Sequence, residues 1–128
     1  MQVTTGVDII EVDRVRKAIE EIGDNFLNRI YTSSEIEYCN KSNSDVKYQH
    51  FAARFAAKEA VFKALSGYID SREDLLWREI EVINDNQGRP MINIEKLKNN
   101  RLSRMKNIDI SISHIKDYAV ASVVALFE

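Results

Sequence analysis

The 128-residue chain is 45% hydrophobic and 30% charged, which is ordinary for a globular protein and far from disorder. Its length fits one domain over residues 1–128, or one protomer of an oligomer. A net charge of −2 gives no global pull toward nucleic acid or an anionic membrane, so any anion site has to be a local cluster of bases. Cys39 is the one cysteine, so an intrachain disulfide is excluded and a cysteine metal centre is disfavoured. The N-terminus shows no signal-peptide pattern and no apolar stretch is long enough to cross a bilayer. The expectation is a cytoplasmic enzyme or binding protein, with neither nucleic acid nor membrane as partner.

In chain order, residues 3–12 read as a strand of β-branched residues, broken by Gly6 just before Asp8. A carboxylate is unusual in such a run, because Asp competes for backbone hydrogen bonds. Residues 13–22 read as a helix with Val15, Ile19 and Ile22 inward and Arg14, Arg16, Lys17, Glu20 and Glu21 outward, stopped by Gly23. Glu11 and Asp13 are positioned to cap it. A short helix over residues 25–31 follows. Thr32 with Glu35 then forms a capping box that opens another.

Residues 41–45 read as a polar loop. A long helix runs from near Asp45 to Leu65, rich in alanine and free of glycine and proline. At about 100° per residue its apolar residues cover nearly the whole circumference, the mark of a buried element. Yet it carries Arg54, Lys58, Glu59 and Lys63, charges expected to be half-buried and therefore to need partners. A Glu59–Lys63 helix pair is the plain alternative.

Residues 68–75 read as irregular, 77–85 as a strand, 84–88 as a turn and 91–94 as a short strand after Pro90. Residues 95–105 read as a surface helix. The end of the chain reads as a hairpin: alternating residues 108–114, a turn at Lys116-Asp117, and an apolar strand over 118–127 covered on both faces. The expected architecture is α+β, a small and mainly antiparallel sheet on one long central helix and several short ones. So short a chain has little with which to cover both faces of its last strand, so a homo-oligomer is expected.

Asp8 and Glu59 are the carboxylates least explained as surface residues. Brought together they would make a hard-oxygen site that suits Mg²⁺, which takes one or two carboxylates and leaves room for water and phosphate oxygens. Lys63, one turn from Glu59, would add a point charge for a phosphate. His114, at a strand end, could donate to a phosphate or relay a proton. No glycine motif for phosphate or dinucleotide binding is present.

These residues carry a family resemblance. Gly6-Val7-Asp8-Ile9-Ile10-Glu11-Val12 with Arg14, then Arg54-Phe55-Ala56-Ala57-Lys58-Glu59-Ala60 with Lys63-Ala64-Leu65, then Ser111-Ile112-Ser113-His114 with Tyr118-Ala119 closely resemble the short bacterial-type holo-acyl-carrier-protein synthases. The resemblance extends along almost the whole chain. It implies transfer of 4′-phosphopantetheine from the co-substrate coenzyme A to a serine of apo-acyl carrier protein, a step of fatty-acid biosynthesis that releases adenosine 3′,5′-bisphosphate. By position it implies Asp8 and Glu59 as Mg²⁺ ligands, and Glu59, Lys63 and His114 as catalytic residues. It further implies Arg54, Lys63, Gly67, Pro90 and His114 as coenzyme A contacts, and a homotrimer with active sites between subunits. Arg14, Arg16 and Lys17 would dock an acidic carrier protein. Two other readings stay open: a non-catalytic binding module for coenzyme A or the carrier protein, and a metal-dependent phosphohydrolase or nuclease. The net charge disfavours the last.

Overall fold

A computed structural model of the chain describes residues 1–42, 44–70, 76–98 and 102–128. Strand β1 (Gln2–Glu11) leads directly into helix α1 (Val12–Ile22), followed by α2 (Asp24–Ile30), α3 (Ser33–Asn40) and the long α4 (Ser44–Leu65). After a 3-10 turn at Trp77–Glu79 come β2 (Glu81–Asn84), β3 (Pro90–Asn93), a single helical turn α5 (Glu95–Lys98), β4 (Met105–His114) and β5 (Tyr118–Phe127). Strands β1, β5 and β4 form a three-stranded antiparallel sheet in that order, and β2 pairs with β3. The α+β expectation holds.

Helix α4 lies across the inner face of the three-stranded sheet. Alanines at 56, 60 and 64 meet Ala121, Val123, Ala125 and Phe127 of β5 and Ile108 and Ile110 of β4 in one core. Small side chains on both surfaces let backbones come close, and Gly6 takes this furthest. A Cβ there would lie 2.8 Å from the Ala64 nitrogen and closer still to the Ala60 carbonyl. Gly6 therefore does not break β1, as its sequence context suggests; the strand is continuous, and the missing side chain lets it rest on α4.

Several boundaries differ from expectation. The expected helix over 95–105 is described at α5 and has ended by Leu102, because Met105 already pairs with Phe127 at the start of β4. Sheet pairing overrides a weak helical pattern there. The expected strand over 77–85 begins with the 3-10 turn. Residue 43, residues 71–75 within the expected irregular segment, and residues 99–101 lie outside the described residues. Among the described residues the last strand is covered on one face only. Its inner residues Ala119, Ala121, Val123, Ala125 and Phe127 are buried, while Val124 and, on the neighbouring strand, Val3, Val7 and Ile9 are exposed. Among the described residues, no helix is long and apolar enough to cross a membrane.

Candidate active site

Two residues beyond Gly6, on the same face of β1, Asp8 is turned toward α4 by the strand's alternation. It meets the α4 row that carries Glu59 and Lys63. The Lys63 ammonium donates to the Val7 carbonyl at 2.9 Å and to Asp8 Oδ1 at 3.2 Å. Asp8 and Glu59, fifty-one positions apart in the chain, line one open pocket of about 430 Å³. Its other walls are Arg14 and Val15 of α1, Phe26 of α2 and Phe55 of α4. The pocket thus combines two acids, one base in Arg14 and an apolar lining, and the Lys63 ammonium reaches it through Asp8. Among the described residues no group of three or more His, Cys, Asp or Glu side chains gathers as a metal cage. Two carboxylates opening onto solvent fit Mg²⁺ in particular, because that ion keeps several waters.

A second cluster lies in a smaller pocket of about 150 Å³ where α3, α4, β4 and the β2–β3 hairpin meet; Arg54, His114, Pro90, His50, Tyr38 and Asn84 line it. Arg54 is deeper than the half-buried position expected of it, at 3% exposure. Its guanidinium donates to Asn84 Oδ1 at 2.8 Å and stacks on Tyr38, 4.2 Å from the ring centre. His114 Nδ1 lies 2.8 Å from Gln49 Oε1. Burial, then the Arg54 charge, lowers the His114 pKa. Contacts within and beyond the hairpin brace it. Asp85 Oδ1 accepts from the Gln87 and Arg89 amides, Gly88 turns the chain at φ 83°, and Arg89 pairs with Asp109 on β4 at 3.0 Å.

The expected site residues therefore fall in two groups: Asp8, Glu59 and Arg14 in one pocket, with Lys63 bonded to its Asp8, and Arg54, Pro90 and His114 in the other. Gly67 is in neither; it is exposed just beyond α4, without a positive φ and with open space around it. Arg16 and Lys17 are not free basic arms. Both bind Asp13 on their own helix, and Lys17 and Arg16 together hold its carboxyl below the usual carboxylate range. Asp13 does this rather than cap α1, whose N-cap position, Glu11, makes no side-chain cap hydrogen bond.

Residues 4–123 match the model of the 4′-phosphopantetheinyl transferase superfamily. The chain belongs to that superfamily. It is 41% identical to the holo-[acyl-carrier-protein] synthase of Ruminiclostridium cellulolyticum over 97% of this chain and 92% of the relative. To the enzyme of the same name from Chlamydia muridarum it is 46% identical, over 94% and 91%. The holo-(acyl-carrier-protein) synthase of Bacillus anthracis, solved in complex with coenzyme A (3′,5′-ADP), superposes with a TM-score of 0.79 at 32% identity, covering 98% of this chain and 96% of that one. The chain is thus a member of a transferase family in fold and in sequence.

Sequence reasoning missed what holds this transferase-family pocket in place. Lys58 is fully buried, and its three ammonium protons go to Glu35 Oε1 at 2.8 Å, the Trp77 carbonyl at 3.0 Å and the Ile80 carbonyl at 2.6 Å. Glu35, also buried, accepts in addition from the Thr32 and Val82 amides at 2.8 and 2.9 Å. The capping box visible in the sequence is thus half of a larger lock joining α3, α4 and β2. Only the apolar setting of Lys58 hinted at a buried partner, and nothing local named Glu35 as that partner.

Proposed function

We propose that this protein transfers the 4′-phosphopantetheine group of coenzyme A to a serine of an apo-acyl carrier protein, with Mg²⁺, releasing adenosine 3′,5′-bisphosphate. One observation carries the reading: Asp8 from β1 and Glu59 from α4 line a single pocket, with the Lys63 ammonium at its edge. Family membership and the coenzyme A complex of the Bacillus anthracis relative support it. Asp8 and Glu59 would hold the Mg²⁺, which when bound supplies positive charge for coenzyme A's diphosphate.

The chain's own side chains do the rest. The serine hydroxyl oxygen attacks the phosphorus that bears the pantetheine arm. The bond from that phosphorus to the oxygen of the nucleotide's 5′-phosphate breaks, and that oxygen leaves on adenosine 3′,5′-bisphosphate. Lys63 neutralises charge as it grows on this leaving group. The serine proton goes to a carboxylate beside the ion, Glu59, or to a water that the ion would hold. Arg54, His114 and Pro90 hold the nucleotide end, and Gly67 leaves the backbone after α4 open to phosphate. Arg14, at the pocket rim, orients an acidic carrier; Arg16 and Lys17 add charge to the same helix while shared with Asp13.

Residues 1–128 act as one domain in the cytoplasm, and three copies close through the outer sheet face. The exposed Val3, Val7, Ile9 and Val124 support that closure, since apolar side chains gathered on one sheet face mark a contact surface.

The test is to incubate the protein with coenzyme A, Mg²⁺ and apo-acyl carrier protein and to weigh the carrier by mass spectrometry. A gain of one phosphopantetheine is expected. An unchanged carrier mass with coenzyme A bound points to a binding module, and cleavage of added nucleic acid points to a phosphohydrolase; either result overturns the proposal.

A further inference from the structure

His50 stands on α4 one turn before Arg54, in the same small pocket as His114. Its ring is edge-on to His114 at 5.2 Å and to Tyr38 at 5.7 Å, and its carbonyl accepts from Arg54 Nη1 at 3.5 Å. Arg54 is almost wholly buried, yet its Nε has no hydrogen-bond partner among the described residues. The guanidinium thus keeps hydrogen-bonding capacity that the described residues do not use and that a phosphate oxygen can take up. Around His50 stand Tyr38 from α3, Arg54 from α4, His114 from β4 and the neutral Asn84 from β2. None is a carboxylate, so the pocket gathers one fixed positive charge and two imidazoles that can gain one.

Coenzyme A offers two anionic groups. The diphosphate carries fixed charges and belongs with Lys63. The 3′-phosphate is a monoester, which takes its second negative charge near pH 6, in the range where imidazole titrates. A dianion beside two imidazoles and an arginine is matched in charge and in proton affinity; a diphosphate has no such matching titration.

We propose that His50 is a specificity-determining residue for the 3′-phosphomonoester of coenzyme A, completing with His114 and Arg54 a pocket that distinguishes coenzyme A from 3′-dephospho-coenzyme A. The inference rests on the phosphopantetheinyl-transfer reading and adds His50 to it. In the empty pocket, burial, then Arg54 and His114, resist protonation of His50. The bound phosphate reverses that preference. Discrimination between the two ligands therefore grows as pH falls through the imidazole range.

The experiment is calorimetric titration of the full-length protein with coenzyme A and with 3′-dephospho-coenzyme A, from about pH 5.5 to about pH 8. His50→Gln is expected to reduce the affinity ratio of the two ligands by about tenfold, the loss of one charge-assisted hydrogen bond, and to flatten its pH dependence. Affinity for 3′-dephospho-coenzyme A stays within about twofold of the parent, a change below the worth of one hydrogen bond. In the parent protein, imidazole proton resonances of His50 report a raised pKa with coenzyme A and not with the dephospho form. This readout does not depend on how well the variant folds. An unchanged ratio in His50→Gln, or equal His50 titration with both ligands, overturns the assignment while leaving the transferase reading intact. Failure of the parent to bind either ligand overturns both.

Discussion

Replacing Lys58 by Met should destabilise the protein far more than a change of one surface charge. The side chain has no solvent exposure and neither has its partner Glu35. Methionine matches the stem in length but supplies none of the three donated hydrogen bonds. Glu35 would keep its two backbone donors, from Thr32 and Val82, and lose its counter-charge; the Trp77 and Ile80 carbonyls would lose a donor. Breaking one side of a buried ion pair costs about 3–5 kcal/mol. Burial already lowers the Lys58 pKa despite the Glu35 carboxylate beside it, so desolvation is the larger effect and the pair is closer to neutral than its contacts suggest. It follows that Glu35→Gln/Lys58→Met, which buries no charge, should be more stable than the sum of the single changes by about 2 kcal/mol. Urea unfolding followed by far-ultraviolet circular dichroism measures all three. Coenzyme A affinity should fall with the single variants, because Arg54 lies one turn from Lys58 and Asn84 two residues beyond Val82. Single effects that add within about 0.5 kcal/mol would refute the argument.

Four further outcomes follow from the same structure. Gly6→Ala drives a methyl into the α4 backbone, so β1 must lift; a stability loss of at least about 1–3 kcal/mol by urea unfolding is expected, with a parallel loss of divalent-ion affinity, and a neutral result would contradict the close approach. Asp8→Asn should abolish Mn²⁺ binding in calorimetry while circular dichroism stays unchanged. Cys39, with no exposure and its thiol pKa pushed up to about 12 by burial, should not react with a thiol reagent at neutral pH until denaturant is added. His50 and His114 both have pKa values lowered below 6.5, so the unfolded chain binds their protons first as pH falls. Their contribution to the ligand-free protein is present above pH 6.5 and is lost as pH drops from there through the lowered values. Thermal melts across that range should show a fall in midpoint that is smaller in a His50→Gln variant.

Much of the fold was legible because it rests on local pattern. The extent of α4 follows from its alanine content and unbroken run, the start of α3 from Thr32 and Glu35, and the closing hairpin from the alternation of Ile108, Ile110 and Ile112. Where local and distant forces compete, the reading slipped. Residues 95–105 carry a passable helical pattern, but Met105 gains a sheet partner in Phe127. Arg16 and Lys17 look like free bases until Asp13 is seen beside them. Tyr38 and Asn84 carry no spacing signal, because each reaches the Arg54 pocket from another element; His50 stands one helical turn before Arg54, but only the fold shows that His114 meets it there.

The amino-acid sequence on its own determined which chemistry was available: two acids out of place in apolar elements, a lysine one helical turn from one of them, and a histidine at a strand end. Those are properties of residue type and short spacing, which local physics controls. The fold decided which of these side chains share a pocket. Gly6, having no side chain, lets β1 lie against α4 so that Asp8 and Glu59 face one cavity, and the Glu35–Lys58 lock ties α4 to α3 and β2, whose Tyr38 and Asn84 meet Arg54. Contacts between residues fifty or more positions apart depend on how whole elements pack, and no local pattern records that.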